Sequence, residues 1–359
     1  MRLSERQSEI AFGVFLLVSV LGVALVGEGL MRVFALRDTG VVFNWGDLRK
    51  ATLYTDDAND MDRFIPGSAF PPVRINAQGF RGPELAPADA DTIRIGFLGD
   101  STLLAAELEE DETPAGLAML RLSERFPQCR LDYVLAAGPS WGMDSMAVLA
   151  EEDLPPLAPD LHVVMAGRVP ELLRNYMLFG EDPIPVTTEP PALARHSRLW
   201  FALWRLYHWQ REDRRAGRID WETRLPQPEI RRILGHASAD LRAALEGETV
   251  LAIVDTGLLG PDLSPEEAGA LTRVERTLTQ SVSALDYVSF KPKIRDALTA
   301  VFREEGWRVI DPLAGATERQ RFYMDDHHFN IEGAALYADA MVEALDPMIR
   351  ATGRACLDG

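Results

Sequence analysis

The chain has 359 residues, with 37 basic against 55 acidic side chains and a formal net charge of -18. That excess of carboxylates argues against the positive surface a nucleic-acid binder needs, and 47% hydrophobic with 26% charged residues is not the composition of a disordered chain. Two cysteines, Cys129 and Cys356, are too few for a disulfide framework or a cysteine-rich metal site; they read as one buried thiol and one free thiol in the tail, with a single bridge as the alternative.

From Ile10 to Gly27 the sequence IAFGVFLLVSVLGVALVG is uncharged and is bounded by Glu9 and Glu28. About 18 residues at 1.5 Å each reach roughly 27 Å, enough for a thin hydrocarbon core, and Leu30, Met31, Val33 and Phe34 can extend the span. One transmembrane helix within residues 1–37 is therefore predicted. A cleaved signal peptide fits less well, because Glu5 and Glu9 interrupt the leading segment and no Ala-x-Ala site follows. A buried core helix fits less well again, because the run is apolar on every face. Arg2 and Arg6 on one side balance Arg32 and Arg37 on the other, so the flanking charges set no orientation.

Residues 38–91 form a lead-in segment in which Pro66, Pro71, Pro72, Pro83 and Pro87 prevent long regular elements. Its string Asn76-Ala-Gln-Gly-Phe-Arg-Gly-Pro-Glu84 has glycines at 79 and 82 and reads as a loop docking Phe80 onto the body. Short apolar runs then alternate with helical patterns, the signature of a parallel sheet between two helical layers. Five runs qualify: Ile93 to Leu98, Leu131 to Leu135, Leu161 to Ala166, Thr249 to Val254, and Trp307 to Ile310. The prediction is an α/β domain over 92–347, a three-layer α/β/α flavodoxin-like fold of about five parallel strands, followed by a tail over 348–359. A helical insertion at about 170–247 carries the aromatic run Leu199 to Trp209, which reads as a helix packed on the body or facing a membrane or partner.

In open α/β sheets the site forms where strands end at their carboxyl edge. The first sheet strand runs into Gly99-Asp100-Ser101, which would place a serine on the turn from strand to helix with its own N–H facing a developing oxyanion. The plain alternative is a helix cap on a common turn sequence. Far downstream lies Asp325-Asp-His-His-Phe-Asn-Ile-Glu-Gly333, followed by a helix with Ala334, Tyr337, Ala338, Met341 and Leu345 on one face. An Asp and a His three residues apart can meet on one turn, the carboxylate fixing the imidazole tautomer while the other ring nitrogen faces the serine. Alternatively the histidines face solvent and the aspartates only cap the helix. His162, His196, His208 and His236 are scattered singly and read as structural. No set of side chains has metal-ligand spacing, and no cofactor is expected.

These blocks resemble those of SGNH/GDSL-type hydrolases in a membrane-anchored bacterial form, over residues 76 to 345. Leu98-Gly-Asp-Ser-Thr102 is similar to the family's first block, Gly138 to its second-block glycine, and Asp325 with His328 to its last block, Asp-x-x-His, with Asn330 and Gly333 following. The resemblance implies Ser101 as nucleophile, His328 as base, Asp325 as orienting carboxylate, and the N–H groups of Ser101 and Gly138 as oxyanion donors. It departs at the third block, where Gly167-Arg168-Val169-Pro170 replaces Gly-x-Asn-Asp, so that Arg168 is the substitute donor or only a surface ion-pair partner. Ala105 and Ala106 stand where the family has Gly-x-Gly.

Two functions follow as expectations. One is an extracytoplasmic serine esterase or acyl (acetyl) transferase acting on short acyl esters of a glycan or envelope component, held to the membrane by its N-terminal helix and partnered, in the transferase variant, by a membrane-bound O-acyltransferase. The other is a weak or inactive subunit that keeps the hydrolase fold as a binding or assembly module.

Overall fold

The computed structural model describes residues 13–14, 16, 18–29, 52–56, 61–139, 141–166, 200, 226–254, 284–316, 319–324 and 327–358. All five predicted sheet strands are present: β5 (Thr92–Gly99), β6 (Arg130–Ala137), β7 (Leu161–Met165), β8 (Val250–Ile253) and β9 (Arg308–Ile310). They form one parallel sheet in the order β6-β5-β7-β8-β9. Every residue of β5, β7 and β8 is buried, which is why these strands read as mainly apolar runs, broken only by Thr92, Arg94 and His162, and not as alternations.

The strand order explains the layers. The step from β5 to β6 moves one way across the sheet, and the steps from β6 to β7, β8 and β9 move the other way. Right-handed crossovers then send the connecting helices to opposite faces. Accordingly α2 (Pro114–Arg125) packs on α7 (Ile331–Ala351), whereas α3 (Met143–Val148), α4 (Gln227–Ala237), α5 (Ala239–Ala244) and α6 (Ala284–Glu304) contact one another. Ala334, Tyr337, Ala338, Met341 and Leu345 of α7 are all buried, as the helical spacing predicts. Arg121 and Arg125 of α2 reach across to Asp339, Glu343 and Asp346 of α7.

The lead-in is more ordered than its prolines imply. It holds two small hairpins, β1 (Leu53–Asp56) with β2 (Met61–Phe64) and β3 (Ala69–Phe70) with β4 (Val73–Arg74). An antiparallel bridge from Arg81 to Leu135 then lays the segment along the open edge of β6. Phe80 is buried, as expected of a docked aromatic.

The cysteine reading is corrected. Cys129, in the turn before β6, and Cys356, in the tail, are disulfide-bonded across 227 residues of sequence. The two partners lie far apart in the chain, and no rule of spacing could pair them.

Contacts divide the chain into two units, Met1–Phe43 with Glu181–Arg218, and Asn44–Gly180 with Ile219–Gly359. In the first, residues 18–29 are helical, and Val18, Val20, Leu21, Val23, Leu25 and Val26 are exposed. Among the described residues no helix is long and apolar enough to cross a membrane. Most of the aromatic run at 199–209, the start of the predicted span at 10–12 and its extension at 30–34 lie outside the described residues.

Candidate active site

Strand β5 delivers the serine. It ends at Gly99, where a Cβ would lie 2.6 Å from Leu103 Cδ2, so only glycine lets the chain turn this tightly into the next helix. Asp100 is the N-cap of α1 (Ser101–Leu104): its carboxylate accepts from Thr102 N–H at 2.9 Å and satisfies one of the donors that a helix start leaves over. Ser101 is the first residue of that helix, so its own N–H has no intrahelical acceptor and points out of the turn.

The histidine arrives from the opposite end of the chain. Met324 N–H donates to His328 O at 2.8 Å and Asn330 N–H to Phe322 O at 3.1 Å, closing a narrow loop just before α7. The stacked rings of Tyr323 and Phe329, with centroids 5.4 Å apart, form its base. Asn330 caps α7 by accepting from Gly333 N–H at 2.9 Å, and its amide donates to Arg321 O at 2.6 Å. A Cβ at Gly333 would lie 2.0 Å from Phe322 O, so the glycine is what allows loop and helix to meet this closely. The result is a buried His328, 6% exposed, whose Nε2 lies 3.0 Å from Ser101 Oγ. His328 thus sits just ahead of the helix that starts at Ile331.

Of the residues singled out in the sequence, the structure brings together Ser101 and His328 across 227 positions. It also places Gly138 just past the end of β6, with its N–H 3.3 Å from Gly99 O, beside the serine turn. Asp325 and Arg168 lie outside the described residues.

One residue that pattern reading missed underpins the site. Arg81 is fully buried, and its guanidinium donates to Leu104 O at 2.6 Å, Ala105 O at 2.8 Å, Leu108 O at 2.6 Å and Glu110 Oε2 at 3.0 Å. It gathers the carbonyls leaving α1, where Ala105 holds a left-handed conformation with φ of 46°. Tyr133 completes the cluster by donating to Glu110, and burial beside that carboxylate raises its hydroxyl above the usual phenol range. The available signal was an arginine beside Phe80, between the glycines at 79 and 82. Its partners lie 23 to 29 residues away and have no pattern of their own.

A serine hydroxyl in hydrogen-bond contact with an imidazole, at the head of a short helix on the carboxyl edge of a parallel sheet, is an arrangement suited to nucleophilic acyl chemistry. No family model and no curated protein matches the chain. Among solved structures it is similar to TesA, at 14% identity and a TM-score of 0.41, over 71% of this chain and 99% of that one. It is similar to LAE5, described as an alpha/beta hydrolase enzyme from the metagenome of Lake Arreo, at 15% identity and a TM-score of 0.40, over 74% and 97% of the two chains. It is also similar to Axe2, an acetylxylan esterase from Geobacillus stearothermophilus, at 11% identity and a TM-score of 0.40, over 74% and 96%.

Proposed function

We propose that the protein is a serine esterase whose α/β body is exported and held at a membrane by its N-terminal helix, acting on short acyl esters of a glycan or other envelope component. The observation that carries this reading is the 3.0 Å contact between Ser101 Oγ and His328 Nε2. In the forward step His328 Nε2 takes the proton of Ser101 as Oγ bonds to the acyl carbon. The same proton then goes to the departing alkoxide, leaving an acyl-serine that water, or a sugar hydroxyl in the transferase variant, releases. Asp325, three residues ahead of His328 in the sequence, is assigned as the carboxylate that orients the imidazole. The N–H groups of Ser101 and Gly138 are assigned to receive the oxyanion, with Arg168 as the substitute for the missing third donor.

Two observations support the setting. The bond between Cys129 and Cys356 suits an oxidising compartment outside the cytoplasm. The exposed valines and leucines of residues 18–29 are the kind of surface that lipid covers.

The test is hydrolysis of acetyl and longer acyl esters by the full chain in detergent. Ser101→Ala and His328→Ala should each lower kcat by about 10⁴-fold while leaving the fold intact. Hydrolysis that survives Ser101→Ala would remove the serine from the mechanism.

A further inference from the structure

Just beyond the serine turn, the chain after β6 folds back on itself, with Trp141 N–H 3.3 Å from Gly138 O. That turn lays the indole on Gly138. A Cβ there would lie 2.4 Å from Trp141 Cε2, 2.5 Å from Cδ2 and 2.7 Å from Cζ2. The absent side chain is therefore what admits the ring, and Cε2, the atom nearest the glycine, is the one bonded to Nε1. Phe64 of the lead-in packs on the indole, ring centroids 5.5 Å apart, and only 3% of Trp141 is exposed. Yet its Nε1–H is buried with no acceptor among the described residues. A buried indole N–H normally finds a partner, and this one is left over on the glycine that adjoins the serine turn.

We propose that Trp141 is a catalytic residue whose Nε1–H is a third donor to the oxyanion. The proposal rests on the esterase reading and deepens it. As Ser101 Oγ bonds to the acyl carbon and loses its proton to His328, the carbonyl electron pair moves onto oxygen. That oxygen accepts from Ser101 N–H, Gly138 N–H and Trp141 Nε1–H. When the intermediate collapses the pair returns, the C–O bond to the alcohol breaks, and the alkoxide takes the proton from His328. Gly138 N–H already donates to Gly99 O at 3.3 Å and must share its proton between that carbonyl and the oxyanion, so a further donor beside it adds to the hole. An indole suits the place because it can only donate and because ring packing fixes its direction before the charge develops.

Trp141→Phe deletes the N–H and keeps an aromatic ring between Gly138 and Phe64. On a short acyl ester we expect kcat to fall about 10²- to 10³-fold, with KM within about threefold and the urea midpoint retained. A second measurement needs no variant: in the ¹⁵N-labelled full chain in detergent, the Trp141 indole N–H resonance should move downfield when a phosphonate occupies Ser101. A kcat within threefold of wild type in the folded Phe variant, or an indole resonance that stays in place on phosphonylation, would overturn the proposal. If wild-type Ser101 takes no phosphonate, or activity survives Ser101→Ala, the esterase reading itself fails. Serine-dependent activity indifferent to Trp141 removes only this donor.

Discussion

At the scale of single residues, two buried histidines, His328 and His162, do different kinds of chemistry. His328 is 6% exposed and touches the serine, while His162, 4% exposed near the amino end of β7, touches nothing reactive. Its Nδ1 has no acceptor among the described residues, and burial pushes the imidazole pKa down to about 4. The Glu248 carboxylate 3.7 Å from Nε2 would favour the charged form, but it is half exposed and too well solvated to offset that burial. Folded His162 therefore stays neutral where an unfolded histidine, with a pKa near 6.5, takes up a proton. Its contribution to stability is complete above about pH 6.5 and declines as pH falls toward 4, by about 3 kcal/mol in all. Urea midpoints measured from pH 7 to pH 4 should show this decline, and His162→Gln should flatten it. An equal slope in the variant would assign the acid sensitivity elsewhere. Reading His162 as structural was available from its isolation in the sequence; its depressed pKa was not, because that depends on Leu154 and Pro159 closing over Gly96 beside it.

At the scale of elements, the serine turn depends on a segment outside the predicted α/β domain. Helix α1 is four residues long and cannot hold its own shape. Arg81 does so, binding the carbonyls of Leu104, Ala105 and Leu108, of which that of Ala105 also accepts from Leu108 N–H at 3.0 Å. Arg81→Ala should cost about 3–5 kcal/mol in chemical denaturation, because one change removes four hydrogen bonds from a fully buried guanidinium. Arg81→Lys should recover only part of this, since one ammonium cannot match the fork. A loss under 1 kcal/mol for the alanine variant would show the lead-in to be a passive cover. Strands β5, β7 and β8 were legible because strands buried on both faces are mostly apolar, and α7 because its buried face repeats with the helical period. The two hairpins of the lead-in were not, since β3 and β4 have two residues each and carry no periodicity. The Ser101 and His328 blocks were recognisable separately, and glycines 99, 138 and 333 now have steric reasons for being glycine. What no local pattern could supply was the clustering of Arg81, Glu110 and Tyr133, or of Phe64, Trp141 and Gly138, each assembled from different elements.

At the scale of the molecule, one covalent tie joins the turn ahead of β6 to the tail beyond α7, enclosing most of the α/β body. Replacing both Cys129 and Cys356 by alanine should lower stability by about 2–4 kcal/mol, read as a shift in urea midpoint, and should leave kcat within about twofold. The tie is remote in sequence from Ser101, and His328 is held by its own loop hydrogen bonds. An unchanged midpoint would mean that the tail adds nothing to the body. The central claim, that Ser101 is a nucleophile activated by His328, is tested most directly by labelling the full chain with a fluorophosphonate and locating the adduct by peptide mass spectrometry. The account predicts a single adduct on Ser101, with labelling slowed at least 10³-fold in His328→Ala. An adduct on another residue, or equal labelling rates in the two proteins, would contradict it.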